Sequence, residues 1–362
     1  NSYCLKKYGR PLFLVCSADL AGSTNIAGSG ADFGDMKNTG WYNRDTNPDG
    51  VILPQGITEF TNAGIMVGMS SVNLDTDPEN EFNGFYTACS TYGSFSYLKY
   101  GAMRLYSQLA QDCEWKVGKT IWVAGHSGPE TAEDSRTHFG IFSPGTTQLF
   151  PEGHVINIHP WEYNEVPVML AAAMKTDRPI IALHLTRPGV EIPDRAARGM
   201  GSYKLAAKGA YILRDYKDGA PKQGVLMVQG TMSTYNLIRA LDAIDQAGVN
   251  VKIVAIPSPQ LFALQDEAYR NEVLSDGDRM NSTYVTNRSR RVMRDWVFNP
   301  LADDYSLSSD RDDMWRPGGS VDEVCESAGI HPDGIAKGVV AFAKAYDQRM
   351  KKLAGMVDAA RG

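Results

Sequence analysis

Short apolar runs recur along this chain, each bounded by glycine, proline or a polar cluster. The clearest are residues 10–17 (RPLFLVCS), 120–124 (TIWVA), 154–159 (HVINIH), 178–186 (RPIIALHLT), 224–230 (GVLMVQG) and 251–256 (VKIVAI). Runs this short with such boundaries read as buried strands. Between them lie stretches of helical character. In residues 61–69 small residues alternate with Ile, Met and Val, which suits a buried helix. Residues 96–111 have a basic helical face, 162–174 form a helix with an early proline, and 233–247 form another. Residues 335–357 are amphipathic with Lys and Arg towards their end, as the helix dipole favours.

Strands alternating with helices predict an α/β fold with mostly parallel sheets flanked by helices. At 362 residues the chain is long for one core, and two such domains are expected. The pattern places them at 1–195 and 209–362, with a charged, irregular linker at 196–208. The polar, glycine-rich segment that follows the first strand, up to about Gly50, is expected on the surface. Residues 82–109 are dense in aromatics, which points to core or interface. Residues 296–315 read as irregular.

Composition narrows the class. The chain is 43% hydrophobic and 22% charged, with a formal net charge of −6. No basic tract offsets that charge, so nucleic acid is not an expected partner. No apolar run approaches the roughly 20 residues that span a bilayer, so no membrane is expected either. The five cysteines are scattered without a CxxC pair, which suits reduced thiols and a cytoplasmic location. The chain opens at Asn1 on what looks like the tail of a helix, so the numbered residues are expected to begin inside a larger polypeptide.

The chemistry concentrates after the run 120–124. Residues 125–140 (GHSGPETAEDSRTHFG) hold two histidines, three carboxylates and an arginine among glycines. A polar loop fed by a buried strand is where α/β folds aim reactive side chains. Glu59 opens the apolar helix in GITEF and suits either a dipole-favoured helix-start acid or a buried functional acid. Arg187 follows the run 178–186 in TRPG. The turn Gly230-Thr-Met-Ser233 leads from strand to helix and is more readily explained by close packing than by an anion.

SADLAGS, GITEF, the aromatic segment with STYGSF, GH…EDSRTH and TRPG occur in that order. In this order they resemble the pyrimidine-binding and C-terminal domains of transketolases, over essentially the whole chain. The resemblance implies thiamine diphosphate as cofactor and reversible transfer of a two-carbon ketol unit between phosphorylated ketose and aldose sugars. It implies that Glu59 bonds the pyrimidine N1′, that Tyr92 and Phe95 surround the aminopyrimidine, and that Asp19 and Leu20 lie beside the cofactor. It assigns substrate contacts to Ser23, His126, Asp134, His138 and Arg187. His126 and Arg187 would take the phosphate, Asp134 a sugar hydroxyl, and His138 would relay protons at the reacting oxygens. No metal ligand is assigned in this chain. Mg²⁺ or Ca²⁺ is expected from a diphosphate-binding domain, whose motifs these residues lack. The chain is therefore expected to be a fragment, or a subunit of a split enzyme, working with that domain in a homodimer or heterotetramer.

Two departures stand out. Where the family has Gly-Glu-Asp-Gly-Pro-Thr-His, this chain has Ala-Glu-Asp-Ser-Arg-Thr-His, and where it has His-Asp-Ser, this chain has His-Ser-Gly. Two other readings stay open on the sequence. One is another thiamine diphosphate enzyme, such as a 1-deoxyxylulose-5-phosphate synthase or a 2-oxo acid dehydrogenase β-type subunit. The other is a non-catalytic binding or scaffolding half.

Overall fold

The computed structural model describes residues 1–34, 40–129, 135–316 and 318–362. They divide into two compact units. The first comprises Asn1–Ser127, Ser143–Ile158 and Ala173–Arg187; the second comprises Gly128–Phe142, His159–Ala172 and Pro188–Gly362. Each is built on its own five-stranded sheet.

The chain enters the first unit through α1 (Ser2–Tyr8) and β1 (Phe13–Ser17). There follow α2 (Glu59–Ser70), β2 (Tyr86–Tyr92), α3 (Tyr100–Asp112), β3 (Thr120–Gly125), β4 (Val155–Ile158) and β5 (Ile180–His184), while α4 (Glu165–Met174), between β4 and β5 in the chain, belongs mostly to the second unit. The strand order is β1-β2-β3-β5-β4, and every pair is parallel. One face buries Cys16, Cys89, Trp122 and Ala182 against Ala63 and Met66 of α2 and Met103 and Tyr106 of α3. Alternation along β2 sets Thr87 and Thr91 on the α2 side. Thr87 donates to the Met66 carbonyl (3.1 Å) and Thr91 to Glu59 (3.0 Å), so α2 runs antiparallel over β2. The reach matches: four strand residues span roughly 13 Å and seven helical residues roughly 10 Å.

The long segment after β1 is not wholly a surface excursion. Val15 N–H donates to the Val51 carbonyl (3.0 Å), and Leu53 N–H donates back to Val15 (2.8 Å). Ile26, Phe33, Val51 and Ile52 are buried. The outer edge of β1 would otherwise present unpaired backbone groups, and the returning segment covers them.

The second unit holds β6 (Tyr211–Arg214), β7 (Val225–Gln229), α5 (Thr231–Gln246), β8 (Lys252–Ala255), α6 (Pro259–Ala263), α7 (Glu267–Val273), α8 (Asp276–Met280), β9 (Ser282–Thr286), β10 (Leu307–Ser308), α9 (Val321–Ser327), α10 (Pro332–Lys344) and α11 (Tyr346–Ala360). Its order is β10-β9-β7-β8-β6, parallel except for β6 against β8. The amphipathic segment 335–357 folds as two helices rather than one, with the break at Ala345. Beyond the break, Arg349 is buried. Its guanidinium donates to the carbonyls of Phe342 (3.2 Å) and Gln223 (2.8 Å) and lies 3.7 Å from the centre of the Phe342 ring. These contacts draw the last helix inward and account for the interruption.

A buried polar cluster also sits in this unit. Arg195 donates to Glu162 (2.8 Å), Glu165 (2.9 Å) and the Tyr211 oxygen (3.0 Å), while Tyr211 donates to Glu165. Burial, and then the negative charge of Glu165, push the Tyr211 phenol well above its ordinary range.

Candidate active site at the carboxyl ends of the first sheet

Because β1, β2, β3 and β5 are parallel neighbours, their carboxyl ends bring four separate stretches of sequence to one edge. These are Ser17–Asp19, Thr91–Tyr92, Gly125–His126 and Thr186–Arg187. In open α/β sheets that edge is where ligands bind.

Glu59 is the first residue of α2 and is 7% exposed. Its Oε1 accepts the Thr91 hydroxyl across 3.0 Å. Glu59 therefore starts a helix and is at the same time a buried carboxyl beside the end of β2. Asp19 turns its Oδ1 onto the backbone N–H of Leu20 (2.7 Å), which fixes the loop after β1; Leu20 itself is 70% exposed.

Ser23, Tyr92 and His126 come together. The Ser23 and Tyr92 hydroxyls are 3.1 Å apart, and the Tyr92 and His126 rings lie 4.6 Å between centres at 35°. His126 is 1% exposed and holds a left-handed backbone, φ 58°. Non-glycine residues rarely adopt that region, and when they do it is often at a functional site. Gly93 makes room for this turn, since a β-carbon there would stand 2.7 Å from the His126 carbonyl. Phe95 is half-buried in the turn Gly93–Lys99. Arg187 is exposed, just past β5.

His138 belongs to the second unit. It ends the turn Arg136–His138, half-buried, with Ser135 Oγ 3.2 Å and Thr137 Oγ1 3.0 Å from its Nδ1. Asp134 lies outside the described residues, as do Glu130 and Glu133 of the same loop.

Sequence reasoning passed over several residues here. Thr91 is the donor to Glu59, and its signal was its place in phase with Thr87 and Cys89 along β2. Thr24 links Ser17 (2.7 Å) to Ser90 (2.8 Å) through its hydroxyl and ties the loop after β1 to β2. Lys99 is fully buried. A lysine amid aromatics gives no sequence cue of that.

The second unit supplies the deciding comparison. Residues 209–310 match the family model described as "Transketolase-like TK C-terminal domain". This part of the chain is a transketolase-like C-terminal domain. The wider chain is transketolase-like as well. Transketolase 1 of Pasteurella multocida is 26% identical over 267 residues, covering 73% of this chain and 35% of that protein. A transketolase of Geobacillus stearothermophilus is 32% identical over 155 residues, covering 42% and 22% respectively.

Among solved structures, the Pichia stipitis transketolase in complex with sedoheptulose 7-phosphate superposes with a TM-score of 0.69. It is 22% identical, covering 92% of this chain and 44% of that one. The Leishmania mexicana transketolase gives 0.69 at 19% identity, covering 93% and 43%. These likenesses establish the fold. The chain thus spans about a third of the length of the curated transketolases it matches over most of its own, and corresponds to their C-terminal half. The comparisons do not favour the two other readings. No described helix is long and apolar enough to cross a membrane.

Proposed function

We propose that this chain is the pyrimidine-side and C-terminal portion of a thiamine diphosphate-dependent ketol transferase acting on phosphorylated sugars. The observation that carries the reading is Glu59: a buried carboxyl at a helix start, held by Thr91, on the sheet edge that also presents Tyr92, His126 and Arg187. A buried acid fits the ring nitrogen of an aminopyrimidine, and Tyr92 and Phe95, at and just after the end of β2, suit its faces. When bound, thiamine diphosphate supplies the carbanion-stabilising chemistry.

The chain's own residues have separable tasks. Glu59 exchanges a proton with the pyrimidine nitrogen, and Thr91 fixes the carboxyl for that exchange. Tyr92 and Phe95 wall the ring, with Asp19 and Leu20 on the loop beside it. Arg187, exposed and planar, suits a sugar phosphate. His126, packed against the Tyr92 ring, suits the same substrate phosphate. Ser23 adds a hydroxyl to the same group. His138 relays protons at the reacting oxygens, and Asp134 reads a sugar hydroxyl. A diphosphate-binding domain supplies Mg²⁺ or Ca²⁺, in a homodimer or heterotetramer, and the reduced cysteines suit the cytoplasm.

The test is reconstitution. The chain is combined with a transketolase diphosphate-binding domain, thiamine diphosphate and Mg²⁺, and ketol transfer from a ketose phosphate to an aldose phosphate is assayed. Transfer that requires both polypeptides supports the reading. Cofactor bound without transfer contradicts it.

A further inference from the structure

The loop after β1 carries Asp19, Leu20 and Ser23, and next to them a residue with no task in that account. Thr24 is fully buried, although loops at strand ends ordinarily lie on the surface. A hydroxyl has one proton to give and two lone pairs, and the surroundings of Thr24 Oγ1 use all three. The Leu20 carbonyl at 3.1 Å accepts its proton, while the Ser17 and Ser90 hydroxyls, at 2.7 and 2.8 Å, donate to it. Ser17 Oγ in turn accepts the Asp19 N–H (3.3 Å). One side chain thus joins the loop to the last residue of β1 and to β2. It also lies on the end of β3, since a β-carbon on Gly125 would stand 3.3 Å from the Thr24 α-carbon.

The consequence falls on Ser23. The Leu20 carbonyl accepts the Thr24 N–H as well (3.0 Å), so Thr24 engages both of its lone pairs. The Ser23 hydroxyl lies 3.2 Å from that occupied carbonyl and 3.1 Å from the Tyr92 hydroxyl. Its proton is thereby left to Tyr92, whose ring packs on His126.

We propose that Thr24 is a positioning residue of this site: its buried hydroxyl fixes the loop 18–25 across the ends of β1, β2 and β3 and sets the Ser23 hydroxyl against Tyr92. The inference rests on the proposed role of Ser23 for its meaning in the reaction, but the fixing of the loop belongs to this chain alone. Buried hydroxyls that satisfy one another rigidify what they join, and a group that binds substrate works only when such a supporting shell holds it. Thr24 acts through Ser23 and touches no reacting atom.

The first test uses the full chain without cofactor. Amide hydrogen exchange is followed at residues 24 and 26, whose N–H groups bond to the Leu20 (3.0 Å) and Ala21 (2.9 Å) carbonyls, with Val123 of β3 as reference. In Thr24→Val the two loop amides exchange about ten-fold faster relative to Val123, the equivalent of one lost hydrogen bond. The nuclear Overhauser contact between the Ser23 methylene and the Tyr92 ring disappears. Thr24→Ser, which keeps the hydroxyl, restores both. Either readout unmoved in Thr24→Val, or unrestored in Thr24→Ser, overturns the inference. Should Thr24→Val fail to fold, Ser90→Ala removes one of the anchors and is read in the same way, unmoved loop amides again overturning it. In the reconstituted enzyme, KM for the ketose phosphate rises about ten-fold in Thr24→Val, in Ser23→Ala and in the double variant alike, with kcat little changed, because residues acting as one unit do not add. Effects that multiply in the double variant would mean that Thr24 does not act through Ser23. Ketol transfer with unmoved loop readouts would sink this inference and leave the proposed function standing. Moved loop readouts in a chain that fails reconstitution would do the reverse.

Discussion

Thr91 donates its hydroxyl proton to Glu59 Oε1 across 3.0 Å, joining the carboxyl end of β2 to the first residue of α2 inside the first unit. This bond holds a buried acid beside the carboxyl end of β2. Replacing Thr91 with valine keeps the volume and removes the donor, leaving a buried acceptor short of a partner. The expected cost is about 1–3 kcal/mol of folding stability, read as a lowered urea midpoint. A midpoint equal to that of the unaltered chain would mean the bond contributes nothing.

Gly93 is predicted to tolerate no side chain. A β-carbon there meets the His126 carbonyl at 2.7 Å and the Ser127 α-carbon at 2.8 Å, both backbone atoms unable to yield. Gly93→Ala is expected to cost about 1–3 kcal/mol, as overpacking does, and to open the Tyr92–His126 ring pair. Thermal unfolding reports the first effect, and ring-current shifts in the NMR spectrum of Tyr92 report the second.

In the second unit, Tyr211 gives stability an alkaline dependence. Unfolded tyrosine loses its proton near pH 10, whereas burial and Glu165 keep the folded phenol protonated to higher pH. Unfolding therefore releases a proton in that window. The stabilisation is fully present below about pH 10 and declines above it by about 1.4 kcal/mol per pH unit until the folded phenol also ionises. Tyr211→Phe removes this component along with the bonds to Glu165, Trp161 and Arg195. The stability gap between the unaltered chain and the variant should thus narrow from pH 9 to pH 11 in urea titrations.

Arg187 is predicted to discriminate by charge. In the reconstituted enzyme, Arg187→Ala is expected to raise KM for phosphorylated sugars about 10- to 150-fold, the equivalent of the about 1.5–3 kcal/mol of a hydrogen bond to a charged group. KM for their unphosphorylated counterparts should change little. Equal effects on both substrates would remove the arginine from phosphate binding.

Much of this architecture was legible in the residues, and the reasons are physical. Parallel strands buried on both faces read as short apolar runs, so β1, β3, β5, β7 and β8 announce themselves. Locally Glu59 reads as an ordinary helix-start acid; it was the resemblance carried by GITEF that singled it out. Other features depend on what crosses over a residue, and a local pattern does not record that. Thr91 looks like any strand threonine until α2 is laid across it. Lys99 resembles a solvated lysine until β2 and β3 offer it carbonyls. Segment 51–53 is too short to read as a strand, yet the open edge of β1 recruits it. The turn at Ala345 follows from where Arg349 finds its acceptors, an outcome that periodicity in 335–357 conceals.

The account turns on Glu59 as the proton-exchanging acid, and one measurement addresses that directly. With the diphosphate-binding domain, thiamine diphosphate and Mg²⁺ present, exchange of the cofactor's thiazolium C2 proton for deuterium is followed by quenched NMR in the unaltered chain and in Glu59→Gln. The prediction is a loss of exchange of at least about 100-fold, the usual scale of general acid–base assistance, with circular dichroism and cofactor binding retained. An undiminished exchange rate in a folded, cofactor-bound variant would contradict the role assigned to Glu59 and the function built upon it.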